Sequence, residues 1–276
     1  MRLDGKTLSK TLEAQIQAEV FGISGRKPKL TVVLAGQDPA SQIYVGKKIK
    51  ACERVGIESQ LLNLPDTVSQ NELLQIISSL NNNSQVDAVL VQLPLPSQIN
   101  PRIIAEAIDP KKDVDGLHPL NQGKLLLGQD DGLSPCTPLG VIELLKQNNI
   151  PIAGKHAVII GRSSIVGKPM AALLLNENAT VTLVHSKTAD TAAHTKQADI
   201  LIAACGIPRF VTKQMVGRGA VVIDVGIHKI EGKLMGDVDF EEVEKIASAI
   251  TPVPGGVGPM TISMLLANTL KCYRSK

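Results

Sequence analysis

Tyr44 and Lys48 stand four residues apart in a stretch that reads as helix, so both side chains emerge on one face. An aromatic ring beside an ammonium suits a flat, electron-rich heterocycle. A lysine in a partly dry pocket can also have its pKa lowered toward general acid or base duty. Surface helices carry such pairs as well, and Lys47 and Lys50 lie close by. Gln92 interrupts the run Ala88-Val89-Leu90-Val91 just before Leu93-Pro94-Leu95-Pro96. At the carboxyl end of a parallel strand, an amide can donate to and accept from a ligand, or tune Lys48. Satisfaction by loop backbone is the competing account. Asp115, in Lys112-Asp113-Val114-Asp115-Gly116, is of a type that turns favour. Its carboxylate has the fork geometry to accept two N–H bonds from an amino-heterocycle.

A second group of residues is arranged for phosphate. Gly161-Arg162-Ser163-Ser164-Ile165-Val166-Gly167-Lys168-Pro169 follows the apolar run His156–Ile160 and precedes the apolar stretch Met170–Asn176. A strand, a tight glycine turn and a helix start are how a dinucleotide pyrophosphate is held, because backbone N–H groups and the positive helix end face the phosphates. The spacing departs from G-x-G-x-x-G: Ser163 replaces the second glycine and Gly167 comes one residue late, which leaves a purely structural turn as the alternative. An NAD-preferring site has Asp or Glu at the end of the following strand, about 20 residues on. Here that strand ends His185-Ser186-Lys187-Thr188. Arg162, with Ser186 and Lys187, would receive a 2′-phosphate through charge-assisted hydrogen bonds, so the cofactor is read as NADP. An ordinary polar loop is the other account of Ser186 and Lys187. In Pro252-Val253-Pro254-Gly255-Gly256-Val257-Gly258-Pro259-Met260-Thr261 the glycines would let backbone amides approach a ring or cofactor, or simply turn the chain into a helix.

The elements that must position these residues alternate in type. In the first half, Lys29–Ala35, Ser59–Leu64 and Ala88–Leu93 read as strands, with helices over Pro39–Val55 and Ser69–Leu80. In the second half, His156–Ile160, Thr180–His185, Asp199–Ala204 and Ala220–Val225 are nearly continuous apolar runs, as in a sheet covered on both faces. Asp38-Pro39 opens one helix well and Gly56 closes it, while Thr137-Pro138 reads as an N-cap for a helix reaching about Asn148. The turn-rich stretch Gly128–Pro138 separates the two series, and Met260–Tyr273 reads as a final helix. The fold class is therefore α/β in two domains, one of them doubly wound.

Composition narrows the partners. Among 276 residues there are three Phe, two Tyr and no Trp, which argues against a base-stacking surface. Lys+Arg exceed Asp+Glu by only 29 to 26, which argues against a phosphate-tracking face, so no nucleic acid is expected. No signal-peptide core opens the sequence and no run of about 18 apolar residues occurs, so no membrane partner is expected. Cys52, Cys136, Cys205 and Cys272 are far apart and the five histidines are scattered, so no metal is expected and the cysteines read as free thiols of a reducing cytoplasm.

Taken together, Val33–Lys50, Val91–Pro96, Lys112–His118, Gly161–Pro169 and Pro252–Thr261 resemble, in the right order and over essentially the whole chain, the bifunctional methylenetetrahydrofolate dehydrogenase/methenyltetrahydrofolate cyclohydrolase (FolD) family. The resemblance implies a smaller α/β catalytic domain (residues 1–138 with a returning C-terminal helix, 257–276), a Rossmann-like NADP-binding domain (139–256), and a cleft between them. It implies a homodimer formed through the nucleotide domain and acting on tetrahydrofolate one-carbon derivatives. The implied reactions are oxidation of 5,10-methylenetetrahydrofolate to the 5,10-methenyl cation with NADP, then hydrolysis to 10-formyltetrahydrofolate. Lys48 is implied as the catalytic lysine of the hydrolytic step, Tyr44 as a ring stacked on the folate, Gln92 as the partner that keeps Lys48 from being permanently charged, and Asp115 as the pterin anchor. Val91 and Leu93 beside Gln92, and Pro254, Gly255, Gly256, Val257 and Gly258, are implied as substrate-facing. Gly161, Arg162, Ser163, Ile165, Val166, Gly167, His185, Ser186 and Ile227 are implied as cofactor-facing.

Three other readings differ in what they require. A monofunctional, NAD-using dehydrogenase is disfavoured by Arg162 and Lys48. A nucleotide-sensing module would have no use for Tyr44, Lys48, Gln92 and Asp115 together. A shikimate-type dehydrogenase shares the architecture but gives no reason for Pro254–Thr261.

Overall fold

The computed structural model describes residues 1–275. The chain divides into two compact α/β units: Thr11–Ser134 with Ile262 onward, and Met1–Lys10 with Pro135–Thr261. In the first unit three parallel strands, β1 (Lys29–Ala35), β2 (Glu58–Leu64) and β3 (Ala88–Val91), lie in the order β2-β1-β3. Val33, Ala35, Val89 and Val91 on one face bury against Leu73, Ile77 and Leu80 of the crossover helix Gln70–Asn82 and Ile104 of helix Pro101–Ala107, which follows β3. Parallel pairing demands such crossovers, and local chemistry starts them. Ser69 and Glu72 form a reciprocal capping box on helix Gln70–Asn82. Asp38 caps helix Pro39–Val55 by accepting from the Ser41 amide at 2.8 Å, and Gly56 ends it at φ 78°, a conformation that glycine adopts without strain.

The second unit holds five parallel strands: β4 (His156–Ile160), β5 (Thr180–Val184), β6 (Ile200–Ala203), β7 (Val221–Asp224) and, after a hairpin, β10 (Ala249–Ile250). The hairpin pairs β8 (His228–Ile230) with β9 (Lys233–Met235) across Glu231 and Gly232, both at positive φ. The sheet order is β10-β7-β6-β4-β5, so chain direction across the sheet reverses between β4 and β6. That reversal is a topological switch point, where open α/β sheets receive ligands beyond the carboxyl strand ends.

Several expectations need correction. Strand Ala88–Leu93 ends at Val91, which leaves Gln92 just outside the ladder although its amide still donates to the Val33 carbonyl at 2.9 Å. Thr137 is not an N-cap: helix Cys136–Gln147 begins before it, and its hydroxyl pairs with that of Thr261 at 3.0 Å. By compactness alone residues 1–10 lie with Pro135–Thr261, where Leu3 is fully buried and its amide donates to the Ile250 carbonyl of β10. Helix Gly5–Phe21 is absent from the pattern reading, although Leu8, Leu12, Ile16 and Val20 recur every four residues.

Candidate active site

In the first unit, the site grows from the carboxyl ends of β1 and β3, where the order of its own three strands reverses. The capped helix Pro39–Val55 brings Lys48 to Gln92, with Nζ donating to Oε1 at 3.0 Å. The Gln92 Nε2 donates to the Leu93 carbonyl at 2.6 Å. That second bond decides which way the amide faces: flipping it would set Nε2 against the ammonium and Oε1 against a carbonyl. Loop backbone and Lys48 therefore share Gln92, one through each end of the amide. The choice between adjacent lysines is also resolved. Lys48 is half-buried against Gln92, while exposed Lys47 lies over the Tyr44 ring, 5.6 Å from its centroid. Tyr44 is half-buried, and burial pushes its hydroxyl above the ordinary tyrosine value.

The segment from Lys112 to His118 separates structural from available polar groups. Buried Lys112 donates to the carbonyls of Leu80, Asn81 and Asn83, satisfying the end of helix Gln70–Asn82. Buried Asp113 accepts from the amides of Leu117 and His118 and from Asn121 Nδ2 at 2.8–3.1 Å. Asp115 makes no hydrogen bond among the described residues. It lines a recess of about 30 Å³ with Val89, Val91, Leu93, Asp113 and Leu117. Burial raises its carboxyl above the ordinary aspartate range, and the Lys48 charge draws it partly back down. A half-buried carboxyl with no protein hydrogen-bond partner among the described residues, in a mostly apolar recess beside an ammonium, is equipped to receive paired N–H donors from a ligand.

In the nucleotide unit, Gly161 sits at φ 118°, where a Cβ would collide with the Ala204 carbonyl at the end of β6. A Cβ on Gly167 would collide with the Gly161 carbonyl. The two glycines thus close the turn, doing what the familiar spacing does by another route. Ser163 takes the place of the missing glycine actively: its hydroxyl accepts from the amides of Val166 and Gly167, and its carbonyl from that of Lys168. The first amides of helix Gly167–Asn176 are consequently already used. Open to an anion instead are the amides of Arg162, Ser163, Ser164 and Ile165, which have no acceptor among the described residues and lie on an exposed stretch. Arg162 is exposed and has no ion-pair partner among the described residues. The register pairs Ile160 with Val184, so Arg162 and Ser186 each follow two residues beyond the same rung of adjacent strands. His185 bonds its own turn through Thr188 and Lys187, leaving the Ser186 and Lys187 side chains outward. Asp190, the first carboxylate after β5, caps helix Thr191–Thr195. These residues suit a 2′-phosphate and include no carboxylate at the end of β5 to accept from a free 2′-hydroxyl. Ile165 and Ile227 are 45% and 46% exposed, apolar groups held out from a polar rim. Pro254–Gly258 also belongs to this unit, at the start of helix Val257–Arg274; Gly255 adopts φ 109° and its carbonyl accepts from the Lys6 amide.

A cluster absent from the sequence reading lies at the ends of β6 and β7. Asp224 accepts from the amides of Gly226, Asp237 and Val238. Asp237 accepts from those of Cys205 and Gly206 and from His228 Nε2. Burial pushes the Asp224 carboxyl up to about 6 even against its three amide donors. Burial and the nearby Asp237 raise the Cys205 thiol to about 12, which removes it from consideration as a nucleophile. The legible signal was the pair of glycines, Gly226 and Gly236, where a Cβ would collide with the Asp237 and Asp224 carboxyls respectively. Among the described residues, no group of three or more His, Cys, Asp or Glu could hold a metal ion.

Fold and site together define a two-unit α/β enzyme with a nucleotide-binding sheet and a separate lysine–amide–carboxylate site. Residues 3–115 match the catalytic domain of tetrahydrofolate dehydrogenase/cyclohydrolase, and residues 135–276 match its NAD(P)-binding domain. The chain belongs to the tetrahydrofolate dehydrogenase/cyclohydrolase family. It is 54% identical over 278 residues to the bifunctional protein FolD of Sulfurihydrogenibium sp. (strain YO3AOP1), covering 99% of this chain and 98% of that one. The crystal structure of the bifunctional FolD methylenetetrahydrofolate dehydrogenase/cyclohydrolase from Campylobacter jejuni superimposes with a TM-score of 0.96 at 50% identity, covering 100% and 99% of the two chains. The Trypanosoma brucei enzyme, solved with NADP cofactor and inhibitor, matches at a TM-score of 0.94 and 39% identity, covering 100% and 97%.

Proposed function

We propose that Lys48, Gln92, Tyr44 and Asp115 form the folate site of this chain, and that the loop Gly161–Gly167 with Arg162, His185, Ser186 and Ile227 forms its NADP site. The chain oxidises 5,10-methylenetetrahydrofolate to 5,10-methenyltetrahydrofolate with NADP and hydrolyses that product to 10-formyltetrahydrofolate. The observation that carries the assignment is the 3.0 Å contact from Lys48 Nζ to Gln92 Oε1 beside a half-buried Asp115 that has no protein hydrogen-bond partner among the described residues.

Bound NADP supplies the hydride acceptor. The chain's own part in that step is to position two rings, a contribution made by orientation rather than by a covalent group. Tyr44 offers its ring face, Asp115 receives the paired N–H donors of the pterin, and Val91 and Leu93 wall the recess. Hydrolysis starts from a cationic methenyl carbon, so water adds without a nucleophilic side chain. Lys48 Nζ, aimed by Gln92, moves the proton between the adding water and the nitrogen that departs. One assay tests the whole reading: methenyltetrahydrofolate absorbance rises when methylenetetrahydrofolate and NADP are supplied, then decays by hydrolysis. A rise without enzymatic decay would leave a dehydrogenase alone, and no rise would reject the reading.

We place the active protein in the cytoplasm as a homodimer. Four free thiols suit a reducing compartment. The outer strand β5 carries half-buried Val181 and Leu183 at a sheet edge open to pairing. Light scattering at the monomer mass would reject the dimer. Among the described residues, no helix is long and apolar enough to cross a membrane.

A further inference from the structure

Two carboxylates buried side by side are costly unless donors surround them. Asp237 is fully buried and Asp224 nearly so, and between them they accept from five backbone amides and one imidazole. Gly226 and Gly236 make the room, since a Cβ on either would collide with one of the carboxyls. This expenditure of buried charge sits at the carboxyl ends of β6 and β7, beside the switch point.

Asp237 ties together the loops that border that point. Its Oδ2 accepts from Cys205 at 2.7 Å and Gly206 at 2.8 Å, which fixes the turn following β6. Ala204, one residue earlier, packs its carbonyl where a Cβ of Gly161 would be, so this turn forms one wall of the phosphate loop. Its Oδ1 meets His228 Nε2 at 2.7 Å, one residue beyond Ile227. Asp224 holds Gly226 from the other side at 3.0 Å. Ile227 is therefore pinned between two anchored neighbours. The carboxylate also fills the pair of amides that a phosphate would otherwise find at the end of β6, leaving the open amides of residues 162–165 as the place for the pyrophosphate.

We propose that Asp237, with His228 as its donor, is a positioning residue for NADP: it holds the loop after β6 and the Ile227 loop in the form that admits the cofactor. This rests on the NADP site proposed above. The role belongs to cofactor binding and not to hydrolysis, which needs no NADP, and the test exploits that division.

His228→Leu removes the donor, His228→Gln retains an N–H at similar reach, and Asp237→Asn alters the acceptor. NADP affinity is measured directly by isothermal titration calorimetry, and hydrolysis of methenyltetrahydrofolate is measured without NADP. His228→Leu and Asp237→Asn should weaken NADP binding by about tenfold or more, the loss of one hydrogen bond to a charged group, with hydrolysis unchanged. His228→Gln should restore most of the affinity. Wild-type affinity in His228→Leu, no recovery in His228→Gln, or hydrolysis falling in parallel with binding would each overturn the proposal. Should Asp237→Asn fail to fold, the part-exposed His228 pair still decides. Absence of NADP binding by the wild-type chain would instead reject the cofactor site itself.

Discussion

Replacing Lys48 by methionine keeps a side chain of similar length and removes both the N–H donor and the charge. Among the described residues that donor has one hydrogen-bond acceptor, Gln92 Oε1 at 3.0 Å, and the charge is what draws the Asp115 carboxyl down against its burial. Loss of a positioned proton-moving group typically costs about 10²–10⁴-fold in rate, or roughly 3–5 kcal/mol of barrier. Gln92→Ala leaves the amine but frees it from its aim. A hydrogen bond involving a charged group is worth about 1.5–3 kcal/mol, so hydrolysis should fall by roughly ten- to a hundredfold, less than in Lys48→Met. The assay is decay of methenyltetrahydrofolate absorbance in the absence of NADP, with NADP affinity measured in parallel and expected to stay unchanged. Wild-type hydrolysis in Lys48→Met would refute the role of the lysine. A greater loss in Gln92→Ala than in Lys48→Met would refute the idea that the amide acts through it.

Four further outcomes follow from the geometry. Arg162→Ala should weaken NADP binding by about tenfold while barely changing NAD binding or thermal stability, since this guanidinium is exposed and has no ion-pair partner among the described residues; calorimetry with each cofactor reads it. Asp113→Ala should lose about 3 kcal/mol or more of stability in urea unfolding, because three donors lose their acceptor, whereas Asp115→Ala should weaken folate binding at unchanged stability. Thr31→Val should raise the melting temperature, by the equivalent of about 1–2 kcal/mol, because the Thr31 hydroxyl is buried with no hydrogen-bond partner among the described residues. Asp224 rises from 3.8 to about 6 on folding, so between these values the folded chain holds a proton that the unfolded chain has released. Its contribution to stability is present below pH 4 and is lost, by about 3 kcal/mol, as pH rises through 6. Melting curves across that range should be flatter in Asp224→Asn, and an unaltered slope would contradict the assignment.

Strand cores and helix starts were legible because their causes are local. His156–Ile160 and Lys29–Ala35 are β-branched, apolar runs, and Asp38 with Gly56 bracket a helix by capping chemistry that needs only near neighbours. Thr137 shows where local reasoning fails. Its sequence neighbours favour an N-cap, yet its hydroxyl pairs with Thr261, a partner 124 residues away. Lys112, Asp113 and Asp115 show the same limit within one short motif. Residue type alone does not show that the lysine caps a distant helix, that Asp113 knits the loop, or that Asp115 is the one without a protein partner among the described residues.

The sequence by itself determined the alternation of strands and helices, the phosphate loop, the lack of a carboxylate at the end of β5, and the family, because each is written in residue types over short spans. Only the tertiary structure decided that Gln92 is shared between Lys48 and the Leu93 carbonyl, that Ser163 consumes the first amides of its own helix, and that Asp224 and Asp237 lie buried together. Those outcomes depend on which strands become neighbours and in what register. Burial and hydrogen-bond satisfaction are properties of that packing, to which residues far apart in the chain contribute equally.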